Sequence, residues 1–283
     1  MEGVPGGGGI VLSTVAFKTF IWVCSRVPLG LAWLFSWTLA WMWWTVIPIR
    51  KATAVDGFHT VFPELPVGPN LRREVAELVM GYFELFREAR KPRIRLVIEN
   101  PELIRDQLAT GTGAILVAGH FGSWDLVGPM VGRDLSLPVT VVVKNPKWKP
   151  AADYIEGLRH TFGLGLLPTV DCFDYIMEEI AGGRLLVFLL DQRYFKGIPV
   201  EFFGRPAWTT PVVAIAAERN NAPVYGLCYW RQGIGEHRAR FSGPLPMVGN
   251  METDTETIQR FYEETIRERP YSWLWLHDRW RKP

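Results

Sequence analysis

One short segment, AILVAGHFGSWD, places a histidine and an aspartate where they could carry out general-base chemistry. Its five leading apolar residues predict a buried strand that delivers His120 at its C-terminal end. Ser123 is a residue type that caps helices, so a helix predicted from about Trp124 places Asp125 in its first turn. A carboxylate that accepts a hydrogen bond from one imidazole nitrogen leaves the other nitrogen free to take a proton. The segment therefore predicts a base, His120, oriented by Asp125.

The spacing alone is a weak signal. With 29 acidic residues and five histidines in 283 positions, roughly 0.5 such pairs are expected from composition. His59 and Glu64 have the same spacing, but the prolines on either side of Glu64 oppose a helix that would present it, so His59 is predicted to lie in a loop. His120 differs in its context, which is a strand, a turn between two glycines and the start of a helix.

Composition bounds the class of protein. The 283 residues are 48% hydrophobic, which suffices for one large domain. A net charge of +2 without a concentrated basic stripe argues against a general nucleic-acid binder. The three cysteines, Cys24, Cys172 and Cys228, have no CxxC spacing and an odd count, so neither a disulfide framework nor a zinc site is indicated. This pattern favours a reducing compartment.

The N-terminal region predicts a membrane anchor. Residues 27–49 carry no charge, and as one helix they would extend about 35 Å, enough to cross a hydrocarbon core of roughly 30 Å. We therefore divide the chain into a flexible segment and transmembrane or interfacial anchor, 1–50, and a second domain, 51–283. Five tryptophans within 27–49 leave an interfacial or buried helix as the alternative. The basic residues on the two sides balance, so they do not decide the orientation of the anchor.

The remaining chain alternates between helical and strand patterns. A helix is predicted over 71–90, and the strands are predicted at 96–99, 114–118, 139–143, 185–190 and 223–230. Such alternation predicts an α/β domain with a largely parallel or mixed sheet flanked by helices. Ligands in these sheets bind beyond the C-terminal ends of the strands, where His120 and Asp191 both fall.

Several segments together resemble one protein family. GHFGSWD resembles the His-x4-acid block of the glycerolipid acyltransferase superfamily, and it is most similar to the bacterial lipid A biosynthesis (late, lauroyl or myristoyl) acyltransferases. Further family-like segments follow in order along the chain from about residue 70 onward. They are LLVFLLDQRY at 185–194, VEFFGRPAWTTP at 200–211, ERNNAPVYG at 218–226 and WLWLHDRWR at 273–281.

Two positions depart from the family pattern. Family members that acylate lipid A usually carry glutamate where this chain has Asp125, a replacement that the superfamily accepts. The basic segment after the next strand reads VVVKNPKWK, with Lys144 in place of an arginine. That second change affects a segment that could contact the headgroup of the acceptor.

The resemblance also implies a set of substrate-binding residues. Each has a structural alternative: Asp191 ends a strand, Arg159 lies on a helix surface, and Lys144, Lys147 and Lys149 lie in a solvated loop. The FFG segment either forms the wall of an acyl pocket or is a core strand that ends in a turn. His160, His237 and His277 are given no chemical role. The implied residues are Lys144, Arg159, Asp191, Gln192, Phe202, Phe203 and Gly204.

The function implied by the resemblance is membrane-anchored O-acyl transfer from a thioester to a hydroxyl of lipid A or its precursor. His120 would deprotonate the hydroxyl, Asp125 would orient His120, and the oxyanion donor would be an amide near Gly122, Lys144 or Arg159. The implied donor is acyl carrier protein, docked at Lys147 and Lys149, and no metal or cofactor is expected. The catalytic domain would face the cytoplasm at the bacterial inner membrane.

Two alternatives stay open at this point. The first keeps the chemistry and changes the acceptor to another glycolipid, of the phosphatidylinositol mannoside type, with acyl-CoA as the donor. The second is a non-catalytic lipid-binding protein of the same fold, against which the presence of both His120 and Asp125 counts.

Overall fold

A computed structural model describes the backbone of residues 7–144 and 146–282, and within these the side chains from residue 13 onward. Ten helices and nine strands lie in these ranges. The helices are α1 (Gly7–Cys24), α2 (Leu29–Thr45), α3 (Lys51–Val61), α4 (Val67–Arg90), α5 (Glu102–Ala109), α6 (Trp124–Leu135), α7 (Lys149–Thr161), α8 (Phe173–Ala181), α9 (Val212–Asn220) and α10 (Met251–Glu268). The strands are β1 (Arg95–Glu99), β2 (Ala114–Ala118), β3 (Val139–Val143), β4 (Gly165–Pro168), β5 (Leu185–Leu189), β6 (Ile198–Phe202), β7 (Arg205–Thr209), β8 (Val224–Gly233) and β9 (Glu236–Ser242).

Seven strands form one mixed, mostly parallel sheet in the order β1-β9-β8-β2-β5-β3-β4. The five strands from β8 to β4 run parallel, whereas β9 pairs antiparallel with β8 and β1 follows the direction of β9. Helices α1, α2, α4 and α6 form one packed group beside the sheet, and α8, α9 and α10 form another. The predicted α/β fold with a largely parallel sheet flanked by helices is confirmed.

Strand β2 lies at the centre of this sheet, and all five of its residues are buried. An apolar run without alternation is what a strand covered on both faces requires. Its neighbour β5 is parallel to it, with Ala118 opposite Leu189. Two residues beyond each of these positions the chain reaches His120 and Asp191. The register of β2 and β5 thus brings the two side chains to the same point of the sheet edge.

The N-terminal helices differ from the predicted single anchor. Helix α2 covers only 17 residues of the predicted 27–49 segment. Among the described residues no single helix is both long and apolar enough to cross a membrane; a pair, Ser13–Cys24 with Leu29–Thr45, qualifies by length and composition but is bent by 118°. The glycine run at the predicted flexible start enters α1 from Gly7, and residues 1–6 lie outside the described residues.

Helix α2 has one face against the protein and one face outward. It packs along α4, and Ala32, Ser36 and Ala40 are fully buried there. Its other face presents Leu34 and Trp41, which are 65% and 55% exposed. Exposed apolar residues continue into α1 and into the turn after α2, which concentrates apolar surface at this end of the chain.

Some elements were not predicted from the sequence. Strand β9 completes a hairpin with β8, and β6 and β7 form a separate two-stranded sheet. The turn of this second hairpin is Phe203–Gly204, and both residues have positive φ (51° and 70°). Two successive residues of positive φ match the twist of a tight hairpin. Phe202 at the end of β6 is fully buried, so the FFG segment is a core strand that ends in a turn.

Candidate active site

His120 is held by a buried carboxylate. Its Nδ1 lies 2.8 Å from Oδ1 of Asp191, and its backbone N–H donates to Oδ2 of the same side chain at 2.9 Å. The indole N–H of Trp273 also donates to Oδ2, at 2.8 Å. Because the carboxylate only accepts, Nδ1 of His120 carries the proton and Nε2 is left as the basic nitrogen. Asp191 is almost fully buried, whereas His120 keeps 19% of its side chain exposed.

The backbone that carries His120 is fixed from both sides. Tyr229 donates its hydroxyl to the carbonyl of Gly119 at 2.5 Å, and Tyr262 donates to Ala118 at 2.8 Å. On the other side, the Leu274 N–H donates to the carbonyl of His120 and the Gly122 N–H donates to that of Ser272. Phe121 and Trp273 form an antiparallel bridge. The loop after β2 is therefore clamped between two buried tyrosines and a segment more than 150 positions later in the chain.

Asp125 does not make the contact predicted for it. It lies in the first turn of α6 as expected, but its carboxylate faces Arg159 of α7, whose Nη2 lies 3.5 Å from Oδ1. The carboxylate that contacts the ring of His120 is that of Asp191. The register of β2 and β5 places Asp191 beside the ring, whereas the first turn of α6 directs Asp125 toward α7. The charge of Asp125 still acts on His120. Its catalytic role stays a prediction.

The charges around His120 act on its protonation. Burial opposes the charged imidazolium, but the charge and the hydrogen bond of Asp191 outweigh it and raise the pKa of His120 above 6.5. Burial alone would raise the pKa of Asp191; the charge of His120 and three hydrogen bonds instead lower it below 3.8. The pKa of Asp125 is raised by burial, which Arg159 and His120 only partly offset. Asp191 is thus the stable anion of the site.

Ser123 connects the loop after β2 to a buried ionic network. It precedes α6 as predicted, yet it makes no capping bond with its side chain. Its Oγ instead accepts from Nη2 of Arg231 at 3.0 Å, while Nη1 of Arg231 donates to Glu84. Glu84 also accepts from His237 Nε2 at 2.9 Å. A buried charge is tolerated when it is paired and fully bonded, as the carboxylate of Glu84 is here.

An apolar cavity begins beside Asp125 and Arg159. It has a volume of about 160 Å³ and runs between α4, α6 and α7, with one wall from α1. It adjoins a larger cavity of about 470 Å³ between α1 and α7. Neither cavity is lined by the FFG segment, where the acyl pocket was predicted. The residues shared by the two linings are Phe17, Tyr154 and Leu158.

Comparison with known proteins identifies the family. Residues 11–282 match the family described as bacterial lipid A biosynthesis acyltransferase, which is nearly the whole chain. The chain belongs to this family. The resemblance found in the sequence is thereby confirmed, and with it the prediction of an acyltransferase.

Curated relatives of this lipid A acyltransferase family member are phosphatidylinositol mannoside acyltransferases. That of Mycolicibacterium smegmatis is 22% identical over an alignment of 290 positions, which covers 90% of this chain and 94% of the relative. That of Mycobacterium tuberculosis (strain ATCC 25618 / H37Rv) is 23% identical over 180 residues, 61% of this chain. The match covers 56% of the M. tuberculosis protein, so the chain spans about half the length of that relative.

The other residues predicted for this family member are distributed unevenly. Arg159 lies beside Asp125, and Gln192 lies half-buried next to Asp191. Lys144 and Lys147 are exposed beyond β3, and Lys149 pairs with Asp153 at 2.8 Å on the surface of α7. Their substrate and carrier contacts stay predictions. Phe202, Phe203 and Gly204 form the hairpin already described, away from the two cavities.

The histidines that were given no chemical role have structural contacts. His237 is bonded to Glu84, and Nε2 of His277 accepts from the N–H of Arg193 at 3.0 Å. Burial, with help from the charges of Arg193 and Arg279, lowers the pKa of His277 to about 4, so His277 is neutral at pH 7. His160 lies exposed on α7.

Several residues of the site were missed from the sequence. Four side chains from distant positions make hydrogen bonds to the loop after β2, to the end of β2 or to Asp191, and these contacts depend on tertiary packing. They are Tyr229, Arg231, Tyr262 and Trp273. A partial signal existed for Arg231, because an arginine at the end of an otherwise buried strand needs a buried carboxylate. Within the described residues no three His, Cys, Asp or Glu side chains lie together as a potential metal site; the absence of a cofactor stays a prediction.

Proposed function

We propose that this family member transfers a fatty acyl chain from a thioester to a hydroxyl group of a glycolipid. The observation that carries the proposal is the hydrogen bond from His120 Nδ1 to buried Asp191, which leaves Nε2 as a base beyond the C-terminal ends of parallel strands. Ligands of open α/β sheets bind at this edge. A non-catalytic lipid-binding protein would not need a buried carboxylate that raises the pKa of a partly exposed histidine.

In the proposed reaction, Nε2 of His120 takes the proton of the acceptor hydroxyl while the oxygen attacks the thioester carbonyl carbon. Asp191 stabilises the imidazolium that forms and keeps the ring in the required tautomer. The tetrahedral species then collapses, the carbon–sulfur bond breaks, and the imidazolium returns its proton to the departing thiolate. The products are the ester and the free thiol.

The oxyanion of this intermediate needs donors. The N–H of Gly122 itself donates to the carbonyl of Ser272, so among the amides near Gly122 this one is already occupied. Lys144 is exposed in the loop after β3. Arg159 lies beside Asp125 at the mouth of the apolar cavity, which supports it as the cation nearest to the developing charge. We assign the acyl chain to the same cavity because its walls are apolar side chains.

Two acceptors are supported by different observations. The family description supports lipid A or its precursor as the acceptor. For that acceptor we propose acyl carrier protein as the donor. The names of the curated relatives support a phosphatidylinositol mannoside as the acceptor. For that acceptor we propose acyl-CoA as the donor. Both acceptors are phosphorylated glycolipids of a membrane, and we place the enzyme at the cytoplasmic face of the bacterial inner membrane, with its exposed N-terminal apolar surface toward lipid.

The test is acyl transfer by the purified protein. Acyl carrier protein and coenzyme A thioesters would each be offered with a lipid A precursor and a phosphatidylinositol mannoside, and the products identified by mass spectrometry. One pair should yield the ester, and His120→Ala should reduce its formation by about a hundredfold or more. Thioester consumption without an acylated lipid, or full activity of His120→Ala, would refute the proposal.

A further inference from the structure

Three arginines from distant parts of the chain meet at the segment 276–281. Arg50 donates from Nη1 to the carbonyl of Leu276 at 3.2 Å, and Arg193 donates from Nη1 to the carbonyl of Asp278 at 3.1 Å. Arg281 lies three positions further along the same segment. The charges of Arg50 and Arg281 both act on Arg193, where they add to burial in lowering its pKa.

The positive charge of this cluster is poorly compensated. Among the described side chains, no carboxylate lies within ion-pair distance of Arg50, Arg193 or Arg281, although the charge of Asp278 acts on Arg193. Two of the guanidinium groups bond to backbone carbonyls, which fixes their position without neutralising them. Arg50 and Arg281 are exposed and Arg193 is half-buried. Such a cluster has lower energy when an anion occupies it.

The cluster lies beside the catalytic centre. Arg193 follows Asp191 by two residues, and its N–H donates to His277. The segment that carries Leu276 and Asp278 begins at Trp273, which donates to Asp191. A ligand held by the three arginines would therefore have its neighbouring groups near His120.

The cluster also lies at the edge of the apolar N-terminal surface. Arg50 follows Ile47 and Ile49, whose side chains are 49% and 67% exposed. Between residues 3 and 55 the chain has four basic residues and no acidic one. If this surface meets lipid, as proposed above, Arg50 lies at the level of the headgroups.

We propose that Arg50, Arg193 and Arg281 form a binding site for the phosphate of the acceptor lipid. The inference rests on the proposed function, because it names the group by which that acceptor is held. Guanidinium groups suit phosphate because their planar N–H donors match pairs of phosphate oxygens. This site is separate from the headgroup contact predicted at Lys144, which stays a prediction. Coenzyme A also carries phosphates, but the position of Arg50 beside the apolar surface favours the lipid.

Binding measurements test the site without requiring catalysis. Soluble dihexanoyl phosphatidylinositol, coenzyme A and inorganic phosphate would be titrated into the full chain by calorimetry. The variants are the triple Arg50→Gln/Arg193→Gln/Arg281→Gln, single Arg281→Glu, and Arg105→Gln as a matched exposed arginine on α5. Arg281→Glu is included because Arg281 has no described hydrogen bond to lose, so the variant should fold even if the triple does not.

The triple variant should bind the phosphatidylinositol about tenfold or more weakly, and Arg281→Glu should also weaken it, while coenzyme A binding and Arg105→Gln stay unchanged. A loss confined to coenzyme A would place the donor at the cluster and overturn the lipid assignment. Unchanged phosphatidylinositol binding in Arg281→Glu would overturn the site. If binding behaves as expected but no glycolipid is acylated, the phosphate site stands and the proposed function fails.

Discussion

At the scale of single residues, Asp191 differs from Asp125 in what surrounds it. Asp191 receives three hydrogen bonds, two from His120 and one from Trp273, which keep it ionised. Asp125 has Arg159 at 3.5 Å and keeps 26% of its side chain exposed. The contacts of Asp191 orient His120 as a base. Asp125 instead faces the cation of Arg159 at the mouth of the apolar cavity.

Replacing Asp191 by Asn should change both the rate and its dependence on pH. Neutral His120 is the active form, so the rate rises as pH increases through the His120 pKa, which Asp191 holds above 6.5. Without the charge of Asp191, the effect of burial dominates and the pKa of His120 falls. The low-pH limb of the rate profile therefore moves to lower pH. The maximal rate should fall on the order of a hundredfold or more because the tautomer is no longer fixed. An acid limb that stays in place would contradict this assignment.

The Asp125→Asn variant separates the two carboxylates. It removes the negative charge that faces Arg159 but leaves the bond between His120 and Asp191, so we expect a smaller loss of rate than for Asp191→Asn. His59→Ala is the control because His59 is exposed; it lies in α3, not in the predicted loop. The measurement is the initial rate of each variant at saturating donor and acceptor. A larger loss for Asp125→Asn would make Asp125 the main partner of His120 in the reaction.

At the scale of elements, the loop between β2 and α6 (residues 119–123) depends on how closely α4 approaches it. A Cβ added at Gly81 would lie 2.7 Å from Oγ of Ser123, too close for any real structure. Gly81 therefore allows α4 to pack against Ser123, the residue that precedes α6. The network of Arg231 and Glu84 holds the same residue from the sheet side.

Gly81→Ala should therefore displace Ser123 and lower kcat. Adding Ser123→Gly removes the atoms in conflict and should recover part of the lost kcat, although it sacrifices the bond from Arg231. The control is Gly30→Ala in α2, where the added Cβ meets no atom within 4 Å apart from its chain neighbours and the backbone of its own helix; it should leave kcat unchanged and raise stability by up to about 1 kcal/mol. Kinetics and thermal unfolding of the three variants form the test. Equal kcat for Gly81→Ala and the wild type would show that the loop tolerates the shift.

Strands β2 and β3 and helix α4 could be predicted because buried strands and amphipathic helices have strong local patterns. The position of His120 at a strand end was predictable for the same reason. Strand β9 was missed because charged residues and a histidine hide its alternation, and the β6–β7 hairpin was missed because each of its strands contains a proline. The partner of His120 was misassigned, since the pairing of β2 with β5 is a non-local property.

At the scale of the whole molecule, the apolar N-terminal helices are part of the fold as well as a candidate lipid surface. Helix α2 covers α4, and Phe17 of α1 contributes to both cavities. Deleting residues 1–49 would uncover α4 and open the cavities, so the deletion tests more than membrane binding. Substitutions on the exposed face of α2 are a cleaner test.

Leu31→Glu, Leu34→Glu and Trp41→Glu together should weaken binding to liposomes of phosphatidylglycerol and phosphatidylethanolamine. All three side chains lie on the exposed face, so the melting temperature should change little. Tyr175→Glu on α8, equally exposed, is the control. Flotation with liposomes gives the bound fraction. Full flotation of the triple variant would place the lipid-binding surface elsewhere on the molecule.

The bridge between Phe121 and Trp273 has a consequence for the time at which the enzyme becomes active during synthesis. The ribosome completes His120, Asp125 and the cavity helices well before it reaches residues 272–281, which supply the clamp on the loop and a hydrogen bond to Asp191. A nascent chain that already touches lipid through α1 and α2 would thus lack an ordered base. Acyl transfer would begin only once this last segment has emerged and docked, so chains stalled or truncated upstream of it would be bound to membrane yet inactive.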